Sequence, residues 1–142
     1  MAKVRVDRDG VLLALNSMLD EVDWYVDLET GDVIPHDTTG DRDEAPDPAA
    51  EPARYQQLEP LSAQRAWQLR AEFAERVVDA ALRRRLQAAL DGPGAFRRFR
   101  HALAADPAEA ERWSRFEEER LLEEARTQLR EDGIEATFTD PG

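Results

Sequence analysis

The chain has 142 residues, no cysteine and a formal charge of −12. That length amounts to one domain with a core large enough to stand without staples. Lack of cysteine excludes disulfides, thiolate metal sites and a cysteine nucleophile. The negative balance argues against sequence-blind adhesion to nucleic acid or anionic lipid. The opening MAKVRVDRDG lacks the layout of a secretory signal, and no apolar run approaches the ~18 residues of a membrane span. A soluble cytoplasmic protein with no membrane partner is expected.

In chain order, Asp7 or Asp9 caps a first helix, in which Val11, Leu12, Leu15, Met18 and Leu19 form one apolar face. In "DWYVDLETGDVIP", Trp24, Val26 and Leu28 alternate with Tyr25 and Asp27, and Val33 and Ile34 resume beyond the turn. This pattern predicts a β-hairpin with Gly31 at the positive-φ position and Pro35 ending or edging the second strand. Residues 36–53 hold six acids, three prolines and one basic side chain without apolar periodicity; they read as a flexible acidic loop containing His36. "RYQQLEPL" over 54–61 reads as a third strand.

The remainder reads as helical. Ser62 caps a helix over about 63–77. "VVDAALRRRLQAALDG" predicts a second ending at Gly92, and "GAFRRFRHALAAD" a third. Asp106 and Pro107 open a long fourth that Gly133 stops, and Ile134 to Phe138 add a last extended piece. Two irregularities stand out. Arg70 falls within the stripe formed by Ala66, Trp67, Phe73, Ala74, Val77 and Ala81. It either snorkels past Trp67 to water or is a buried guanidinium held by a carboxylate. In the last helix, Trp113 and Phe116 lie on a different side from Leu121, Leu122, Ala125 and Leu129, so that helix bends or serves two packing partners.

Charge is unevenly spread. Residues 65–100 carry nine arginines against four acids. Basic helices paired with acidic neighbours are the first reading of that segment. Lys3 is the only lysine beside eighteen arginines, a skew that codon composition alone produces. Acid pairs are everywhere at this composition and point to no catalytic dyad. "DLETGD" fails the calcium-loop pattern, because Thr38 holds its final glutamate position. His36 and His101 lack metal-ligand spacing, and no nucleophile elbow, phosphate-loop lysine or dinucleotide fingerprint occurs. No cofactor and no metal are expected.

"GPGAFRRFRHAL", residues 92–103, concentrates the remaining signal. Gly-Pro-Gly makes a tight helix–helix corner, while Phe96, Phe99, Ala102 and Leu103 need a core. Gly94, Arg97, Arg98, Arg100 and His101, with Arg70, are the candidate binding residues. Guanidinium forks beside a helix N-terminus suit an anion or an acidic partner.

Taken together, "WYVDLETGDV", "RY" at 54–55, "ALDGPGAFRRFRHAL", Trp113, Phe116, "ER" at 119–120 and "EDGI" at 131–134 resemble a widespread bacterial uncharacterised protein family, UPF0158. The resemblance spans nearly the whole chain outside the acidic loop. It implies a small soluble bacterial protein and brings no established activity or catalytic residue. One departure is Pro93, where the resemblance leads one to expect a basic residue between the two glycines.

The expectation is therefore a single α+β domain over residues 1–142. A small three-stranded antiparallel sheet follows an N-terminal helix and precedes a mainly helical C-terminal half. The expected role is a non-catalytic protein-binding or regulatory module acting through the 92–103 corner. A nucleotide or nucleic-acid binder using the arginine-rich helices of 65–100 comes second, and a carboxylate-based enzyme last. Another protein is the expected partner, with self-association through the C-terminal helix as a further route.

Overall fold

The computed structural model describes residues 2–17, 21–37 and 48–139. The fold is α+β, and the chain divides into two compact units. The first comprises Met1–Leu61 and Leu121–Gly142, the second Ser62–Arg120.

The first unit contains strand β1 (Ala2–Asp7), helix α1 (Arg8–Leu15), strands β2 (Val22–Asp27), β3 (Val33–Asp37) and β4 (Tyr55–Leu58), and strand β5 (Ile134–Thr139). The expected hairpin forms, with Trp24 opposite Pro35 and Val26 opposite Val33. The third strand pairs antiparallel on the other side of β2, Tyr25 facing Gln57, giving the order β3-β2-β4. Pro35 is thereby accommodated on an edge strand, where its missing N–H costs no ladder bond. Three departures from the sequence reading occur. His36 belongs to β3 rather than to a loop, and its ring meets Tyr25 edge-on at 6.3 Å. Of the acidic stretch, 38–47 lies outside the described residues, and Pro48–Ala50 forms a short 3-10 turn. Helix α1 ends at Leu15, while Met18 and Leu19 lie outside the described residues.

The last extended piece is β5, and its partner is a strand the sequence reading omits. β1 and β5 run parallel in full register from Ala2↔Ile134 to Asp7↔Thr139. Ile134 and Ala136 point into the core, while Glu135 and Thr137 face solvent, the period-2 alternation of a half-buried strand. Gly31 serves both the hairpin and this sheet. Its φ of 82° suits glycine, and a Cβ there would meet the Arg5 carbonyl oxygen at 1.9 Å. The Gly31 carbonyl accepts from the Asp7 N–H at 2.9 Å. Val6, Val11, Leu15, Trp24, Val26, Leu58, Leu121, Ala125 and Leu129 fill this unit's core.

The second unit is helical: α2 (Ala63–Glu75), α3 (Ala80–Ala89), α4 (Ala95–Ala104) and the opening of α5 (Pro107–Glu131). Ser62 Oγ accepts the Arg65 N–H at 3.1 Å and Asp79 Oδ1 the Ala81 N–H at 3.2 Å, each satisfying an orphan donor of a first turn. Phe73, Leu82, Leu86, Phe99 and Leu103 are buried, with Trp113 and Phe116 packed on them. The Phe73, Phe99 and Trp113 rings meet edge-to-face at 5.2–6.5 Å between centroids. The two faces expected of the last helix are thus used separately: Trp113 and Phe116 join this core, and Leu121, Ala125 and Leu129 the other. Among the described residues no helix is long and apolar enough to cross a membrane.

Candidate functional site: the arginine-rich helix corner

The corner between α3 and α4 follows from its glycines. Gly92 and Gly94 sit at φ 82° and 76°, and Pro93 between them fixes the turn. This leaves a run of backbone carbonyls at the C-terminal end of α3, where the helix is partially negative. Arg98 covers them. Its Nε donates to the Ala89 carbonyl at 3.1 Å, and its terminal nitrogens donate to the carbonyls of Asp91, Gly92 and Pro93. Trp67 Nε1 takes the remaining one, Leu90, at 2.9 Å. Arg98 and Trp67 therefore lock the corner, and Pro93, exposed on the outside, contributes a carbonyl to the lock.

Arg70 does not snorkel past Trp67. Its guanidinium lies over the Phe96 ring at 4.2 Å and the Trp113 ring at 5.1 Å. One terminal nitrogen donates to the Ala66 carbonyl at 2.8 Å and the other stands 3.6 Å from Glu117 Oε2. Both side chains of the pair are largely buried, 17% and 23% exposed, so the carboxylate-held alternative is the one realised. Burial pulls the Arg70 guanidinium below its ordinary value against the opposing pull of Glu117, and burial pushes the Glu117 carboxyl up. Phe96 is accordingly only half-buried, roofed by Arg70, whereas Phe99 is a core residue.

The other candidates are solvent-facing. Arg97, Arg100 and His101 are exposed on α4. With Gly94 and Arg98 they line an open depression of about 790 Å3. Arg97 and Arg100 make no ion pair among the described residues, and the same holds for exposed Arg84 and Arg85 on α3. Arg83 is different, donating to the Val77 carbonyl at 3.0 Å beyond the end of α2. The structure thus splits the candidate set: Arg70 and Arg98 have internal partners, while Arg97, Arg100 and His101 remain on the surface.

Two contributors are missing from the sequence reading. Glu117 is the Arg70 partner, a contact across 47 positions that no local spacing reveals. Trp67, placed in the apolar stripe, is 42% exposed; its i, i+3 relation to Arg70 is the available signal. Elsewhere, Glu72 holds Arg120 through two bonds of 2.7 and 3.1 Å and also takes Arg76. In the sheet unit, Asp27 accepts a two-pronged grip from Arg54 at 3.0 and 3.2 Å and the Glu29 N–H at 3.0 Å. The Arg54 bond holds the Asp27 carboxyl below its usual range. Among the described residues, no group of three or more metal-ligating side chains occurs.

Residues 3–141 match the family model described as Uncharacterised protein family (UPF0158), and the chain belongs to that family. A curated relative, UPF0158 protein PA5073 of Pseudomonas aeruginosa, is 30% identical over 141 residues, covering 95% of this chain and 88% of the relative. No solved structure matches the chain. The phrases that carry the resemblance include residues of the structural ties just described: Asp27 with Arg54, the Gly-Pro-Gly corner with Arg98, and Arg120, whose partner Glu72 lies outside them.

Proposed function

We propose that this chain is a non-catalytic binding module that engages another protein through the outer face of α4. One observation carries the reading. Within a corner where Arg98 is fully engaged, Arg97 and Arg100 stand exposed with no ion pair among the described residues. Exposed guanidinium forks that the fold does not use match a carboxylate-bearing partner, since each can take two oxygens at once. The second reading, a nucleic-acid binder, is supported by Arg84 and Arg85, which extend the unpaired basic surface onto α3.

The test is recovery of partners from a bacterial lysate, with and without nuclease, on wild-type protein and on variants. Arg97→Gln with Arg100→Gln is expected to fold normally, within ~0.5 kcal/mol of wild type, and to lose the partner. Arg98→Gln is expected to cost about 1 kcal/mol by uncovering the α3 carbonyls. A double variant that keeps every protein recovered by wild type defeats the proposal. Partners lost on nuclease treatment transfer it to nucleic acid.

A further inference from the structure

Trp67 is the largest exposed apolar side chain among the described residues, the others being Leu13 and Val78. It is exposed and yet fixed, because its Nε1 is spent on the Leu90 carbonyl at 2.9 Å. An indole held by its polar edge presents its apolar body without a loss of rotamer freedom on contact. Such rigid tryptophans, with arginines around them, are the residues that dominate protein interfaces. Three positions along α2 lies Arg70, stacked on Phe96 of α4, and Arg100 stands one helical turn beyond Phe96 at i, i+4. Trp67, half-buried Phe96 and Arg100 therefore belong to one strip along α2 and α4, with Arg97 at its edge, i, i+3 from Arg100.

We infer that this strip is the docking surface for an acidic amphipathic segment of another protein, with an apolar side chain seated on Trp67 and carboxylates on Arg97 and Arg100. The inference rests on the protein-binding reading above and specifies its partner. Charge complementarity selects the occupant: from 80 to 105 the chain carries six arginines and a single acid, Asp91. Single-stranded nucleic acid fits less well. It needs successive stacking platforms, and the neighbouring rings are committed, Phe96 beneath Arg70 and Phe99 in the core. An extended phosphate chain would also run past a protein of charge −12, whereas a short segment ends within about one Debye length of the strip.

The probe is a capped peptide with leucine at helical i, i+3, i+4 and i+7 positions and glutamate elsewhere, titrated by calorimetry so that variants lacking Trp67 are read on the same scale, with acrylamide quenching of tryptophan emission followed in wild type. Two comparison probes are the same peptide with glutamine for leucine, and a single-stranded oligonucleotide. Wild type is expected to bind the leucine peptide and to lose acrylamide access to Trp67. Trp67→Gln weakens binding at least ~10-fold at any salt. Arg97→Gln with Arg100→Gln weakens it ~10-fold at low salt and removes most of the salt dependence. Trp67→Phe, which keeps an apolar face, retains binding within a few-fold and guards against a folding defect in the glutamine variant. If the glutamine peptide binds as well as the leucine one, or Trp67 stays open to acrylamide, the strip is wrong while the arginine reading survives. If the double arginine variant binds unchanged, both fall. Tighter binding of the oligonucleotide, or no binding of any probe, overturns the inference.

Discussion

The two units are stabilised by different means. In the sheet unit the tight points are backbone features: the β1–β5 ladder, the Gly31 carbonyl on Asp7, and a glycine whose Cβ would strike the Arg5 carbonyl. In the helical unit they are side chains: a ring cluster around Phe73, Phe99 and Trp113, roofed by Arg70 and closed at the corner by Arg98. Charge follows the same division. The helical unit, residues 62–120, has twelve arginines against ten acids, a formal +2, so the other unit carries −14 of a chain whose total is −12. A basic helical surface within an acidic chain is what an electrostatically selective partner would read.

The sharpest way to break this comparison is to remove one key group from each unit. Phe99→Ala deletes a buried ring that touches two others and is expected to cost about 3–5 kcal/mol. Its loss of amide-exchange protection should fall mainly on residues 62–120. Gly31→Ala forces a strained φ and a backbone clash, costing about 2–3 kcal/mol, with protection lost first in β1, β2 and β5. Uniform loss across both units in either variant would show that the chain unfolds as a single cooperative body and that the division has no energetic meaning.

A smaller effect separates the Arg70–Glu117 pair from ordinary surface pairs. Removing the carboxylate with Glu117→Ala leaves a largely buried guanidinium without its counter-charge, an expected loss of about 1–3 kcal/mol. Arg70→Met keeps the apolar cover over Phe96 and Trp113 and should cost less, because Glu117 can take up a proton where the guanidinium cannot give one up. Chemical denaturation of both variants decides it. A costlier Arg70→Met would mean that the stacking, rather than the pairing, is what the fold uses.

How much of this was legible in the sequence depends on range. The Ser62 and Asp106 caps, the hairpin, Pro35 on an edge and the four C-terminal helices are set by neighbours within a few positions, and the structure shows each of them, whereas Asp7 precedes α1 without a side-chain capping bond. The two faces of α5 were legible too, since a mismatch of helical phase between Phe116 and Leu121 is a local fact. The β1–β5 sheet was not. "AKVRVD" alternates apolar and polar residues, but parallel pairing with a strand 132 positions away leaves no turn signal, unlike the antiparallel hairpin at Gly31. At the candidate site, sequence placed the arginines on the right helix. It could not separate Arg98, whose acceptors are backbone carbonyls, from Arg97 one position earlier, because carbonyls carry no sequence identity. It placed Trp67 in the apolar stripe without its exposure, since periodicity locates a stripe but not where the neighbouring helix stops covering it.

The smallest effect, and the one that distinguishes the units by sign, lies in their carboxylates. Asp27 sits under Arg54 with its carboxyl held below the usual range, while Glu117 is pushed above it by burial. For Asp27 the unfolded chain binds the proton more readily. Its contribution is therefore complete above about pH 4, the unfolded value, and disappears as pH falls through the lower folded one. For Glu117 the folded chain binds the proton more readily, so stability is fullest below about pH 4 and declines as pH rises through the folded value. Melting temperatures of Asp27→Asn and Glu117→Gln, each referred to wild type between about pH 2 and pH 7, should show opposite slopes. The gap between wild type and Asp27→Asn narrows on acidification, because protonation takes from wild type what the substitution has already removed. Relative to Glu117→Gln, wild type gains on acidification, because its own carboxylate no longer has to be buried charged. Parallel slopes for the two variants would mean that Glu117 is hydrated in solution and that the Arg70 site is open to water, leaving Arg70 among the surface cations with Arg97 and Arg100.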